Sequence, residues 1–183
     1  MKKVLLVLVL ICLAMAPAFA DTIKGTITFS GGITLNTSSA TTATGVSGWL
    51  TPVVTSSSLS SPNPGIGDAV TFTAPWSFNS GSSPLWTVGG YTFTLTSSAI
   101  SCQNIAPFCP GSLIVDGIGM ISGNGYSSTV MTWHFTTQDP SSMSGGKNIF
   151  SFSAAQQAVP EPASILLLSA GLIGLGGLVR RRK

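Results

Sequence analysis

Charged side chains are scarce in this sequence. Only 7% of its 183 residues are Asp, Glu, Lys or Arg, and there is one histidine, His134. Six of the eight Lys and Arg residues lie at positions 2–3 and 180–183, which leaves Lys24 and Lys147 against four aspartates between them. The central part is therefore slightly acidic despite the basic pI of the whole chain. A basic surface for nucleic acid is excluded on this pattern, and we expect no nucleic-acid partner.

Patterns that organise a catalytic or metal site are also missing. One histidine among many serines gives no specific support for a Ser-His-Asp arrangement, and scattered aspartates do not define a paired-carboxylate site. The glycines at 117–125 lack the strand-to-helix context of a dinucleotide fingerprint. Calcium binding at Asp116 or Asp139 is disfavoured, because this cation needs several carboxylate oxygens. We therefore predict no catalytic residues, no metal and no cofactor.

Residues 1–20 have the three parts of a secretory signal peptide. Two lysines precede an apolar run, and small residues follow at Ala18 and Ala20, the positions that signal peptidase reads. Cleavage there would leave Asp21 as the mature N-terminus. An uncleaved anchor fits less well because the apolar run is short. A lipoprotein signal at Cys12 fits less well because an isoleucine precedes this cysteine.

Removal of that segment leaves two cysteines, Cys102 and Cys109, in a chain bound for an oxidising compartment. Six residues separate them, so we predict a disulfide that closes a small surface loop. The loop-entropy model gives such a ring about 2–3 kcal/mol of stabilisation. A redox pair usually has two intervening residues, and a metal site needs more ligands than the remote His134.

Residues 21–158 read as one all-β domain. They are rich in Ser, Thr and Gly and poor in Lys, Glu and Leu, which disfavours helices. Apolar and polar residues alternate with period two at 23–29, 70–74, 91–96, 131–136 and 150–154. Turn signals separate them, including Gly31-Gly32 and the stretch at 123–125.

We therefore expect an antiparallel β-sandwich, jelly-roll-like in character. The stretch at 37–61 has no clear alternation and is expected to be a loose hairpin or a long loop. The four tryptophans are expected in the core, since aromatic side chains dominate such cores. The alternative is that one or two of them are exposed and stack on a sugar.

Residues 159–183 have three parts in a fixed order. The first is a short motif of Val159, Pro160, Glu161 and Pro162. The second is an apolar, glycine-rich run at 163–179, which as a helix would extend about 25 Å and suits a transmembrane segment at the short end of the usual range. The last is a basic tail of Arg180, Arg181, Arg182 and Lys183. Positive charge is retained in the cytoplasm, so this tail would stop transfer and leave the domain outside.

Motif, apolar span and basic tail together resemble the PEP-CTERM sorting signal of Gram-negative bacteria. The resemblance implies recognition and cleavage near the motif by exosortase, an integral-membrane cysteine protease or transpeptidase. It also implies export through the inner membrane, a transient single-span form, and final placement in the envelope, on the surface or outside the cell. Such proteins are associated with exopolysaccharide and biofilm, which makes exopolysaccharide an expected partner.

Three function classes follow from the sequence. The first and preferred one is a non-enzymatic surface or extracellular-matrix protein sorted by exosortase. The second is a carbohydrate-binding sandwich that uses an exposed aromatic ring. The third, a secreted hydrolase dependent on His134, has the least support.

Overall fold

The computed structural model of the protein describes residues 21–139 and 149–158. This part contains nine strands and no helix. The strands are β1 (Thr26–Leu35), β2 (Gly45–Ser57), β3 (Thr71–Phe72), β4 (Trp76–Ser77), β5 (Ser82–Val88), β6 (Tyr91–Gln103), β7 (Ser112–Gly123), β8 (Tyr126–Gln138) and β9 (Ile149–Ala158). The prediction of an all-β fold is confirmed.

The nine strands form one antiparallel sheet with the order β3-β5-β6-β7-β8-β9-β1-β2-β4. The expected sandwich of two separate sheets is replaced, in the described residues, by one sheet that curls on itself. Its two edge strands, β3 and β4, are separated by only residues 73–75 in the sequence. So short a connection holds the two edges near each other and forces the curl. An isolated bridge between Val53 and Ala69 adds to this closure.

Aromatic rings meet across the interior of the curled sheet. Phe29 on β1 lies with its ring centroid 5.5 Å from that of Phe72 on β3 and 5.1 Å from that of Trp86 on β5. Trp49 on β2 stacks on Phe72 at 4.3 Å, and its Nε1 donates a hydrogen bond of 2.8 Å to the carbonyl of Thr73. Strands that are far apart in the sheet order are therefore packed face to face.

Period-two alternation selects the side chains that fill this interior. On β8, Met131, Trp133 and Phe135 are buried, while His134 between them is exposed. Three of the four tryptophans, Trp76, Trp86 and Trp133, are at most 2% exposed, and Trp49 is half-buried. The prediction that the tryptophans belong to the core is confirmed for the first three, and Trp49 packs against the same core.

Two local predictions were wrong. The stretch at 37–61 contains the 13-residue strand β2 and not a long loop. Its alternation is obscured by register shifts against β1 and by Thr51, whose φ is 44°. Gly31-Gly32 is not a turn but lies inside β1, where the pairing with β2 shifts between Ser30 and Gly32.

Strand β7 was not predicted because glycine interrupts its apolar pattern. Gly119 faces the aromatic interior, where an added Cβ would lie 2.7 Å from a ring atom of Phe93 and 2.2 Å from the carbonyl oxygen of Thr94. Only glycine lets the backbone of β7 approach that ring so closely. The residue that hides the strand in the sequence is thus required by its packing.

Loops gather at the two ends of the curled sheet. One end, called here the terminal end, holds the start of β1, the end of β9, the loop at 58–70 and the turns at 89–90 and 124–125. Two tyrosine hydroxyls hold the loop at 58–70 in place. The Tyr91 hydroxyl donates a 2.6 Å hydrogen bond to the carbonyl of Ser60, and the Tyr126 hydroxyl donates a 2.9 Å hydrogen bond to the carbonyl of Ser61. The opposite end, called the distal end, holds the loops at 36–44 and 104–111.

Replacing a buried and an exposed phenylalanine by alanine tests this core. Phe29 is fully buried, so Phe29→Ala should destabilise the folded domain by about 3–5 kcal/mol through lost burial and the cavity left behind. Phe108 is 82% exposed, so Phe108→Ala should stay within about 0.5 kcal/mol of the parent. Urea unfolding followed by tryptophan fluorescence measures both. Equal losses for the two variants would contradict the described interior.

Candidate functional site

The terminal end is the candidate functional site because the chain enters and leaves the fold there. Strand β9 lies between β8 and β1, with Ala158 opposite Met131 and Gln157 opposite Thr26. The amide of Ala158 donates a 3.0 Å hydrogen bond to the carbonyl of Gly25, and its side chain is buried. Pairing therefore holds the chain up to the last residue before Val159.

The N-terminal segment occupies the place into which β9 would otherwise continue. Thr22 forms a parallel bridge with Ser127 on β8, and the amide of Ser127 donates a 3.0 Å hydrogen bond to the carbonyl of Asp21. The amide of Ile23 donates a 2.9 Å bond to Oγ1 of the buried Thr129. From Met131 toward the start of β8, the neighbouring chain is thus the N-terminal segment and no longer β9. This arrangement gives a physical reason for β9 to end at Ala158.

Most of the predicted sorting residues lie outside the described residues. This applies to Ala18 and Ala20 of the signal peptide predicted at 1–20, whereas Asp21 is described and exposed. It also applies to the motif Val159, Pro160, Glu161 and Pro162, to the predicted helix at 163–179 and to the tail Arg180, Arg181, Arg182 and Lys183. Within the described ranges, no helix has the length and apolarity needed to cross a membrane.

At the distal end, Cys102 and Cys109 are joined by a disulfide, with 6.3 Å between their Cα atoms. The loop that it closes has no charged residue and presents two apolar side chains to solvent. Phe108 is 82% exposed and Ile105 is 51% exposed. Within the loop, the amide of Cys109 donates a 2.7 Å hydrogen bond to the carbonyl of Ile105, which orders the backbone.

The single histidine is engaged by an aspartate on the outer face of the sheet. Nδ1 of His134 on β8 lies 2.6 Å from Oδ1 of Asp116, its cross-strand partner on β7. Burial raises the pKa of Asp116, but hydrogen bonds from Ser101 and His134 and the charge of His134 outweigh it, so the net pKa is lowered from 3.8. Asp116 thus stands between the serine and the histidine. A hydrolytic triad needs the histidine in the middle, where it can take the serine proton.

Asp139, one of the two candidate calcium-binding aspartates, has a structural role. The Asp139 carboxylate accepts hydrogen bonds of 2.6 Å from the Ser39 hydroxyl and 2.6 Å from the amide of Ala40. These bonds tie the loop at 36–44 to the end of β8. In the described part of the chain, no three His, Cys, Asp or Glu side chains are grouped to hold a metal ion.

A polar cleft of about 380 Å³ opens near the distal end, between the loop at 36–44, strand β4 and the start of β5. Its hydroxyl and amide side chains come from Asn36, Thr44, Ser47, Ser77, Ser80 and Ser82. The lining contains no charged residue. Hydroxyl and amide groups of this kind bind neutral polyols through hydrogen bonds. No local sequence pattern indicates the cleft, because its lining comes from three separate segments.

The alternative of a fully exposed tryptophan or tyrosine that stacks on a sugar is not supported in the described residues. All four tryptophans and both tyrosines lie in the described residues, and each is buried or half-buried. Tyr91 is fully buried, and the Tyr126 hydroxyl is bonded to the loop at 58–70. Phe108 does have an exposed aromatic ring, and no sequence pattern indicated it.

The geometry defines an all-β domain whose two chain ends leave the same end of the sheet and whose last strand runs directly into a motif–span–charge segment. Comparison with protein families matches residues 158–183 to the PEP-CTERM protein-sorting motif. The chain therefore carries this sorting signal, and the resemblance noted from the sequence is confirmed. Curated proteins and solved structures give no match to the chain.

The sorting motif indicates export of the protein and sorting to the envelope or surface. It also implies processing by exosortase, a membrane protein. The matched segment begins at Ala158, which is also the last residue of β9. The folded sheet and the sorting signal therefore meet without an intervening linker.

The lowered pKa of Asp116 predicts a pH-dependent contribution to stability. Because the folded-state pKa lies below the ordinary value of 3.8, the charged carboxylate stabilises the fold above about pH 4, and this stabilisation is lost as the pH falls through the folded-state pKa. Asp116→Asn should therefore be less stable than the parent near neutral pH, and the difference should shrink in acid. Urea midpoints across this range measure it.

His134→Gln provides the matched variant for that experiment, because it removes one of the two partners that lower the pKa of Asp116. It should show a smaller version of the same pH dependence. A difference between parent and Asp116→Asn that stays constant with pH would contradict the assignment.

Proposed function

We propose that the protein is a non-enzymatic surface or extracellular-matrix protein that is held briefly in the membrane by residues 163–179 and released when exosortase cleaves near the motif. The observation that carries this proposal is the junction at Ala158. The matched signal begins at Ala158, the last residue of β9, and the N-terminal segment pairs with the next part of β8 at Ser127. A protease needs its substrate extended and free of sheet pairing, and the two prolines favour that state.

Two properties of the domain support a passive role. Ser101, Asp116 and His134 are in an order that does not activate the serine, since both partners bond to the aspartate. The described part also has few charges and a surface rich in Ser and Thr. Such a surface interacts weakly with charged macromolecules and is compatible with dense packing in a hydrated polysaccharide matrix. Association with exopolysaccharide and biofilm is part of this proposal.

Changing the single carboxylate of the motif tests the sorting role. Glu161→Ala should leave the uncleaved precursor in the membrane of cells that produce exosortase, because Glu161 is the only charge between Lys147 and Arg180 and offers the enzyme its electrostatic handle. Intact mass and fractionation of parent and variant measure the outcome. Gln157→Ala is the control, since Gln157 is exposed on β9 and should be processed normally. Identical processing of Glu161→Ala and parent would contradict the proposal.

Carbohydrate binding is a second candidate, favoured by the cleft near the distal end. Its lining of hydroxyl and amide groups without charge suits a neutral glycan, and its volume of about 380 Å³ lies within the range of small-molecule sites. This candidate differs from the stacking site expected from the sequence, because the ligand would be held mainly by hydrogen bonds. It is compatible with the first proposal, because glycan binding would attach a matrix protein to the surrounding polysaccharide.

Filling the cleft tests this second candidate. Ser47→Arg places a long side chain in the cleft and should weaken binding to neutral polysaccharides, including dextran and polysaccharide from the producing cells, by about tenfold or more, equivalent to about 1.4 kcal/mol. Ser56→Arg lies on the same strand at another exposed position outside the lining and should bind like the parent. Affinity electrophoresis compares them. Equal binding by parent and both variants would remove the cleft as the site.

A further inference from the structure

The sorting signal leaves little room between the folded domain and the membrane. Strand β9 has Ala158 as its last residue and the apolar run begins at 163, so residues 159–162 lie between them in the sequence. From residue 158 to residue 163 there are five Cα–Cα steps, which at no more than about 3.5 Å each reach about 17 Å. When the apolar run is inserted, Ala158 must therefore lie within about this distance of the hydrocarbon boundary.

The terminal end of the domain projects as far as that spacer can reach. Ala158 pairs with Met131, whereas β8 begins at Tyr126, five positions further toward the terminal end. At about 3.3 Å per residue, the β7–β8 hairpin extends about 16 Å past the end of β9. The spacer is thus about as long as the part of the domain beside it. The spacer is therefore too short to hold the terminal end of the domain away from the bilayer.

An apolar side chain is exposed at this same end. Ile66, in the loop at 58–70, is 80% exposed. The loop is held against the terminal end at both sides of Ile66, because an added Cβ on Gly89 of the β5–β6 turn would lie 3.0 Å from Pro64, and the Gly67 amide donates a 2.8 Å hydrogen bond to the carbonyl of Val54. Ile66 therefore projects from an ordered loop.

Charge at this end does not oppose contact with lipid. Asp21 and Lys24 form an ion pair of 3.3 Å, so the two charges largely offset each other. The Asp68 carboxylate accepts a 2.7 Å hydrogen bond from the amide of Gly65 and is turned back onto its own loop. A zwitterionic head-group layer can therefore approach without a large electrostatic cost.

We propose that, in the tethered precursor, the terminal end of the domain rests on the lipid surface and Ile66 enters the head-group boundary. This inference rests on the proposed function, since it requires residues 163–179 to be inserted. The occupant of the surface is lipid and not the processing enzyme, because the short spacer brings the domain to the bilayer before any enzyme is present. Burial of one apolar side chain at this boundary orients the domain on the membrane.

Site-specific fluorescence on the full mature chain, residues 21–183, tests the contact. Ile66→Cys and Phe108→Cys are each labelled with an environment-sensitive dye, and the chain is reconstituted in phosphatidylcholine vesicles doped with spin-labelled phosphatidylcholine. The two positions are matched at 80% and 82% exposure, but Phe108 lies at the distal end, about 40 Å away along a 13-residue strand such as β6. Quenching should be several-fold stronger at position 66. Equal quenching at the two positions overturns the proposal.

A longer spacer distinguishes contact that is imposed by the short tether from lipid binding by the loop at 58–70 itself. Inserting eight Gly and Ser residues between Ala158 and Val159 should lower the quenching at position 66 toward that at position 108. A signal at 66 that survives the insertion overturns the spacer argument and the proposal with it. Flotation of the vesicles is the test of the underlying function. A chain that does not float refutes membrane insertion of the tail, whereas one that floats without quenching at 66 refutes only the lipid contact.

Discussion

Ring packing across the interior is the constraint on which the rest of this structure depends. A sheet of nine strands ends in two edges, and here β3 and β4 are only two residues long. The contacts of Trp49 with Phe72 and of Phe29 with Trp86 bring opposite parts of the sheet together. Closure of this kind protects both edges from pairing with other chains. It also fixes which loops share an end, and so where the chain enters and leaves.

Within the described part of the chain, the same packing leaves three buried hydrogen-bond donors without partners, which lowers the stability of the fold. The indole nitrogens of Trp76, Trp86 and Trp133 are buried and have no hydrogen-bond partner among the described residues. Each buried, unpaired donor costs about 1–3 kcal/mol. Large aromatic side chains offset this through the apolar area that they bury and through ring–ring contacts. Trp49, at the margin of the cluster, has instead a carbonyl partner in Thr73.

Local alternation predicted those parts of the fold in which each residue's environment follows from its neighbours in sequence. The buried side of β8, with Trp133 and Phe135, was predicted in this way. Strand β2 was not predicted because bulges break its alternation. Strand β7 was not predicted because Gly119 stands where the pattern needs an apolar residue, and the ring of Phe93 fills the space that a side chain would take. Sheet order and curl depend on contacts between distant segments, which a local pattern does not contain.

The same distinction between local patterns and long-range contacts applies to the candidate site. The sorting signal is a contiguous code of motif, span and charge, so the sequence identified it completely, and the family comparison agrees. The crossing of the N-terminal segment over the end of β9 depends on pairing between Thr22 and Ser127, which are far apart in the chain. The cleft likewise draws its lining from three segments. Neither leaves a pattern that is readable along the sequence.

The central place of β9 has a consequence for secretion in time. In the proposed export the chain crosses the membrane from its N-terminus, whereas its last strand lies between β8 and β1. Until residue 158 emerges, two inner edges stay open and the sheet cannot close around its rings. In that proposed order of events, completion of the fold would coincide with arrival of the sorting signal at the membrane. The final folding step is a long-range closure, and it is the slowest kind of contact to form. Vectorial export and the end of folding become one event.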